Sequence, residues 1–386
     1  MNKKRRNHIF RIILLMFVSY SVFHYITFGF YIKTERNLFT GNIAHKVIPK
    51  ENPSWDITPL IIDSNFAWES LTSYSWCSGN GTLTDPYIIE NITINGLNSG
   101  ICLSITSTTV YFIVKNSRFY NAGTGFGDCG IKIDFVINGK LINNNCSGGN
   151  YDGIYIIRSS NIKISNNNAS YNEYNGINII WSTNITVSDN EMNHNGNSGI
   201  ALNGYSDYNI SNNIIIYNDE VGLEVRDVDN STFVENSISN NDDYAFHFTH
   251  CNNSKIFENV MNNQTWGIIS WFSHFNNISL NNIKKSECGV HLSGSNNNTI
   301  SYNSLSNNRI GIELSNSHYN TISHNYLKCH YECFIEYDCI DNIFVDNVCE
   351  PCTAAIPGYD ICFFYTIIFI TTLSIIMKVK YRGREN

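Results

Sequence analysis

Short runs in which apolar and polar residues alternate fill the middle of the chain. In Gly176-Ile177-Asn178-Ile179, and again in Asn184-Ile185-Thr186-Val187-Ser188-Asp189-Asn190, apolar side chains fall on every second position. A period of two places them on one face of a β-strand. Clusters of Asn, Ser, Gly and Asp separate the runs and read as turns. Nothing in the middle sustains a helical period, so short strands joined by turns are predicted throughout.

The runs keep a fixed beat. A small residue followed by an apolar one recurs at Gly130-Ile131, Gly153-Ile154, Gly176-Ile177, Gly199-Ile200, Gly222-Leu223, Ala245-Phe246, Gly267-Ile268, Gly289-Val290, Gly311-Ile312 and Cys333-Phe334. The steps are five of 23 residues and then four of 22. An Asn three places after an apolar residue repeats on the same beat, at Asn144, Asn167, Asn190, Asn213, Asn236, Asn259, Asn281, Asn303, Asn325 and Asn347. Asn91 and Asn116 read as upstream members of that series at longer spacings.

One such unit cannot bury its own apolar face, so the units must stack. The predicted fold is all-β, a right-handed parallel β-helix over residues 60–353. Each strand pairs with its equivalent one coil later, about 4.8 Å along the axis. Ten regular coils, one more at Gly100-Ile101 and another at Ile61-Ile62 give eleven to twelve in all, a rod of roughly 55 Å. Apolar columns fill the core, and the Asn series is expected to pair its amides along the axis. The Gly column is expected where the backbone takes φ > 0 or meets another backbone closely. A leucine-rich repeat would need a Leu signature that is absent, and a hexapeptide repeat a period divisible by six.

Units such as Asn298-Thr299-Ile300-Ser301-Tyr302-Asn303 and Gly311-Ile312-Glu313-Leu314 resemble the β-helix repeats of the NosD-like group, also described as the carbohydrate-binding and sugar-hydrolase domain. The stretch Gly79-Asn80-Gly81-Thr82, with Asp85-Pro86-Tyr87-Ile88-Ile89-Glu90-Asn91, is similar to the opening of many archaeal surface proteins of this type. The resemblance covers about residues 60–350. It implies the fold, whereas the repeat residues are structural and imply little about activity.

Both ends read as membrane segments. Residues 1–8 are basic (Lys3, Lys4, Arg5, Arg6), and residues 9–32 are mostly apolar and long enough to cross a bilayer. A cleaved signal peptide is the alternative, although its apolar core is usually shorter and ends at small residues. Residues 361–377 are apolar and uncharged, and residues 378–386 carry Lys378, Lys380, Arg382 and Arg384. The positive-inside rule places both basic ends in the cytoplasm and the β-helix outside, joined to the first span by a linker at residues 33–59.

Composition narrows the rest. Asn alone numbers 59 of 386 residues, and 13% of the chain is aromatic, which argues against disorder. Between residues 33 and 360, 16 basic residues face 32 acidic ones, a balance that repels nucleic acid. Five of the 12 cysteines, Cys329, Cys333, Cys339, Cys349 and Cys352, crowd the last coils. Outside a cell they are expected to staple a cap as disulfides, with Cys329 and Cys352 one coil apart. A metal site at Cys349-Glu350-Pro351-Cys352 and free buried thiols are the alternatives. The chain also carries eleven N-x-Ser/Thr sequons, beginning at Asn80.

Candidate chemistry falls on two columns. One, just before each Gly, is acid-rich: Asp128, Asp152, Glu220, Asp243 and Glu287. Stacked acids could hold Ca²⁺, or simply keep an edge soluble. The other, two places after each Gly and outward, includes Tyr155, Glu224, His247, His291 and Glu313, with Trp181, Arg226 and Trp271 in neighbouring layers. Aromatic rings there could stack on sugars while carboxylates and Arg bind hydroxyls, and Glu224 beside His247 could form an acid–base pair. The plainer reading is scattered surface residues. Copper handling would need a clustering of His, Met or Cys that the spacing does not offer. No cofactor motif occurs. The leading expectation is a membrane-anchored surface protein that binds glycans or other surface proteins. A polysaccharide lyase, epimerase or hydrolase is second, and a metal-maturation factor third.

Overall fold

In the computed structural model, which describes residues 55–351, the apolar runs pair in parallel, coil upon coil. One coil holds three short strands, for example Ile177–Ile180, Thr183–Ser188 and Glu191–Asn193. Their equivalents make three sheets, here sheets 1, 2 and 3. In sheet 1 the register runs Ile154↔Ile177, Ile177↔Ile200 and Ile200↔Leu223, and continues to Ile312↔Phe334. In sheet 3, Met192, Ile215, Ile238, Met261, Ile283, Leu305 and Leu327 stack in one buried column. Each fully buried Ile or Leu stabilises the stack by about 2 kcal/mol relative to exposure.

The first coils are less regular. Strand Trp55–Ile57 pairs with Ile92–Asn95, and Leu60–Ile62 with Leu103–Thr108, so pairing begins within the stretch read as linker. Between them lies α1 (Asn65–Leu71), whose N-terminus is capped by the Ser64 hydroxyl accepting from the Ala67 N–H at 3.3 Å. It presents Trp68 to the rings of Tyr87 and Phe112, at 5.3 and 5.2 Å. The register pairs Leu103 with Ile131, so this coil's small–apolar marker is Cys102-Leu103 and not Gly100-Ile101.

Turns rather than strands explain the abundance of Asn. The residue just before each ladder position is left-handed: Asn143, Asn166, Asp189, Asn212, Glu235, Glu258, Leu280, Tyr302, His324 and Asp346 have φ between 51 and 59°. Asn and Asp tolerate that conformation best. The ladder Asn that follows is buried and fully bonded. Asn190 Oδ1 accepts from the Asn167 N–H and Nδ2 at 2.9 and 3.0 Å. Asn190 Nδ2 donates to Asn213 Oδ1 and to the Ile164 and Ser188 carbonyls, each at 3.0 Å. The pattern repeats from Asn144 to Asn347. Asn91 and Asn116 do not belong to it. Both are left-handed turn residues, and Ser117 holds the ladder position, its N–H donating to Asn144 Oδ1.

The Gly column serves close approach. A Cβ on Gly176 would lie 2.7 Å from the Gly199 carbonyl oxygen and 2.7 Å from Met192 Cγ. No positive φ accompanies it there.

A second ladder runs through Asn172, Asn195, Asn218, Asn241 and Gln264 in the turn before sheet 1. It marks where the period shortens. Asn241 and Gln264 are 23 residues apart, whereas Tyr244 pairs with Trp266 at 22. One turn residue is dropped beside Thr265, and every sheet keeps its register.

At the C-terminal end Cys333 and Cys349 form a disulfide, Cα to Cα 6.2 Å, joining sheet 1 to sheet 3 in the last coil. Cys329 is also disulfide-bonded, and Cys339 is free and half-buried. Cys352, residues 1–32 and residues 361–386 lie outside the described residues. Among the described residues no helix is long and apolar enough to cross a membrane.

Removing one ladder amide strands buried groups on both sides. Asn236 accepts from the Asn213 N–H at 3.1 Å and donates to the Ile210 carbonyl at 2.9 Å. Asn236→Ala is therefore expected to lower unfolding free energy by about 3 kcal/mol in urea melts. Lys163→Ala, on the exposed face of sheet 2, is expected to change it by less than about 0.5 kcal/mol. Equal effects would refute the ladder's role.

Candidate functional site

Side chains on the outer face of sheet 1 are not needed for the core, so this face can carry chemistry. Its central column, in register, is Tyr155, Asn178, Ala201, Glu224, His247, Ile269, His291 and Glu313. Arg226 and Trp271 lie two residues further along their strands.

The structure brings four of the predicted residues together. Arg226 Nη2 donates to Glu224 Oε1 at 3.1 Å, and Ser198 Oγ contacts Glu224 Oε2 at 3.4 Å. His247 sits one coil on, its ring 4.9 Å from Tyr244 and edge-on to Trp271 at 4.7 Å. Its Nε2 is 3.2 Å from Thr249 Oγ1. Burial lowers the His247 pKa, Glu224 opposes that shift, and Arg226 adds to it. A neutral imidazole beside a carboxylate is the result.

The other three stand apart. His291 is two coils from His247, with Ile269 between them, and stacks on Trp266 at 5.4 Å. Both its ring nitrogens are buried and have no hydrogen-bond partner among the described residues, and burial lowers its pKa. Tyr155 is only 4% exposed, with Lys132 Nζ 5.9 Å from its ring. Trp181 is 52% exposed but lies in a turn, left-handed, against Gly204.

The acid-rich column divides. Asp152 belongs to a different column, paired with Cys129 and fully buried. Its Oδ1 accepts from the Asn175 N–H and Nδ2 at 3.1 and 3.0 Å, and its Oδ2 from Asn178 Nδ2 at 2.9 Å. Asp128 accepts from the Gly125 N–H at 2.8 Å, and Glu287 pairs with Arg309. Glu220 and Asp243 remain neighbours in consecutive coils, the Asp243 N–H donating to the Glu220 carbonyl at 2.8 Å. Among the described residues no three His, Cys, Asp or Glu side chains are grouped to hold a metal ion.

The position missed in the sequence is an aromatic wall. Tyr151 and Tyr174 occupy the edge column beside Glu220, and their rings stack at 4.7 Å. Phe126, 85% exposed, meets Tyr151 edge-on at 6.2 Å from the loop Gly123 to Gly127. Together with Asn178, Asn203, Glu220, Glu224 and Arg226 they line a groove of about 350 Å³. Tyr151 and Tyr174 are one repeat apart, 23 residues, which was the available signal. Such a groove combines flat apolar rings with hydrogen-bonding groups, the pattern that suits a sugar.

The family described as "Right handed beta helix region" matches residues 51–206 and, overlapping, 129–283. Among solved structures the chain is similar to PfbA, a surface adhesin of Streptococcus pneumoniae, at 12% identity over 64% of this chain and 79% of that one, with a TM-score of 0.50. It is also similar to the periplasmic alginate epimerase AlgG, at 13% identity over 76% and 85% of the two chains, TM-score 0.43. The A-module of mannuronan C-5 epimerase AlgE6 from Azotobacter vinelandii matches at 12% identity over 68% and 88%, TM-score 0.41. Likeness at these identities concerns the fold alone. No curated protein matches the chain.

Burial raises the Asp152 pKa to about 6, and the hydrogen bonds from Asn178 and Asn175 offset only part of that rise. The native state therefore binds this proton more tightly than the unfolded chain. Its contribution is fully present below about pH 4 and is lost as pH rises to about 6, a change of roughly 3 kcal/mol. Asp152→Asn should remove that slope. Urea melts at pH 4 and pH 7 are the check, and an identical pH dependence in both proteins would contradict the assignment.

Proposed function

The chain belongs to the right-handed β-helix family, and from that premise we propose that it is a surface binding module whose sheet 1 groove takes a glycan chain. The observation that carries the proposal is the grouping of Phe126, Tyr151 and Tyr174 with Glu220, Glu224 and Arg226 in one groove. Sugar rings present an apolar face to aromatic side chains and a rim of hydroxyls to carboxylates and guanidinium. The NosD-like subtype read from the repeat residues is part of the same proposal. So are the two membrane segments, at residues 9–32 and 361–377, and the exterior placement of the solenoid.

A second reading, catalysis on a polysaccharide, rests on Glu224 and His247 lying in register in adjacent coils with burial holding the imidazole neutral. A neutral His can accept a proton and a carboxylate can orient it. A copper-maturation role has less support, since the His residues of sheet 1 are separated by Ile269 and each faces aromatic rings.

A glycan array read for both binding and product formation separates the first two readings. Binding without product is expected. Tyr174→Ala should weaken it about tenfold, with the melting temperature little changed because that ring is 39% exposed. Product formation abolished by Glu224→Gln would establish the enzyme instead. Unchanged binding after loss of both Tyr151 and Tyr174 would place the ligand elsewhere.

A further inference from the structure

The groove's charge, taken with the glycan-binding reading on which this inference rests, bears on which glycans it accepts. Each basic side chain on sheet 1 and its leading edge is already engaged. Arg158 donates to both carboxylate oxygens of Asp134, at 3.0 and 2.7 Å. Lys132 lies over the Tyr155 ring, Arg226 pairs with Glu224, and Arg309 pairs with Glu287. The acids are not balanced in the same way. Glu220 lines the groove directly beyond Asn197 in the edge column that begins with Tyr151 and Tyr174. Asp243 follows in the next coil of that column.

Burial raises the pKa of both carboxyls. The Glu220 shift is then reinforced by Asp243, Glu224 and Asp219, and the Asp243 shift by Asp242. Carboxylates stacked one coil apart repel one another, and docking a ligand displaces the water that screens them. A further anion brought against the Tyr151–Tyr174 wall adds to that repulsion. A hydroxyl accepts or donates a hydrogen bond at no such cost, and an ammonium relieves the repulsion.

We propose that the groove selects glycans that carry no carboxylate or sulfate, either uncharged or amine-bearing, and that Glu220 and Asp243 are the residues that turn polyuronates away. The two acids act as specificity determinants. They work by penalising the wrong ligand, and the aromatic wall provides the contact that all glycans share. Sequence spacing puts the two acids in one column; that this column runs beside the groove, with Glu220 lining it and Asp243 one coil beyond, follows only from the register of the edge column.

The test uses the full-length protein and three hexasaccharides of equal length: β-1,4-linked glucose, its amine-bearing counterpart chitosan, and galacturonate. At low salt the glucose and chitosan oligomers are expected to bind at least about tenfold more tightly than galacturonate. The ratio should narrow as salt is added. It should narrow also, by about threefold or more, in the double variant Glu220→Gln, Asp243→Asn. Galacturonate binding as tightly as glucose, or a ratio unmoved by the double variant, would overturn the selectivity while leaving glycan binding intact. Failure of all three oligomers to bind would sink the glycan-binding reading and the selectivity together.

Discussion

Everything in this solenoid depends on turn amides that find their partner one coil away. A buried Asn side chain carries two donors and an acceptor with no access to water, so each must be bonded within the protein. In the ladder from Asn144 to Asn325 the amide oxygen serves the coil before, and the amide nitrogen serves both the coil after and one or two backbone carbonyls. That arrangement tolerates no slip. A coil one residue out of register would leave several buried polar groups unpaired and would turn the Ile columns toward solvent. The constancy of the period follows from this penalty, and the single change from 23 to 22 residues occurs in a turn, beside Thr265, where no strand is disturbed.

The same constraint explains what the sequence could and could not reveal. Columns that face the core, such as Ile154, Ile177 and Ile200, repeat in type as well as in spacing and were legible at once. The ladder Asn and the left-handed turn residue before it were harder to separate. In Asn143-Asn144 and Asn166-Asn167 both positions favour the same amino acid, one for its hydrogen bonds and the other for its backbone. Sequence spacing therefore puts Asn91 and Asn116 in the ladder column and Asp152 among the edge acids, where the structure does not have them. Insertions had a similar effect. The loop that carries Phe126 lengthens its coil to 28 residues between the paired Leu103 and Ile131, so the 23-residue step does not point to Cys102-Leu103. The seven-residue helix Asn65–Leu71 is too short to leave a periodic trace.

The groove was legible only in pieces, and for a physical reason. The inward columns answer to packing and must repeat, whereas the outward face of sheet 1 is released from that demand. It changes from coil to coil, from Asn178 to Ala201 to Glu224 to His247, and no repeat signals which of these matter. Glu224, His247, Arg226 and Trp271 could be chosen by residue type, and they do adjoin one another. Tyr155 has the same type and the same column, yet its ring is covered. The aromatic wall required knowing that the edge column folds alongside the face.

Coil length as a quantum is most directly tested by deletion. Removing residues 282–303 excises one whole repeat and joins Asn281 to Ser304, so every column is preserved with one layer fewer. Removing only residues 282–292 offsets all later layers by half a coil. The account predicts a single cooperative melt and an undiminished β circular-dichroism signal per residue in the first variant, and loss of both in the second. A half-coil deletion that melts as sharply as the parent would contradict it.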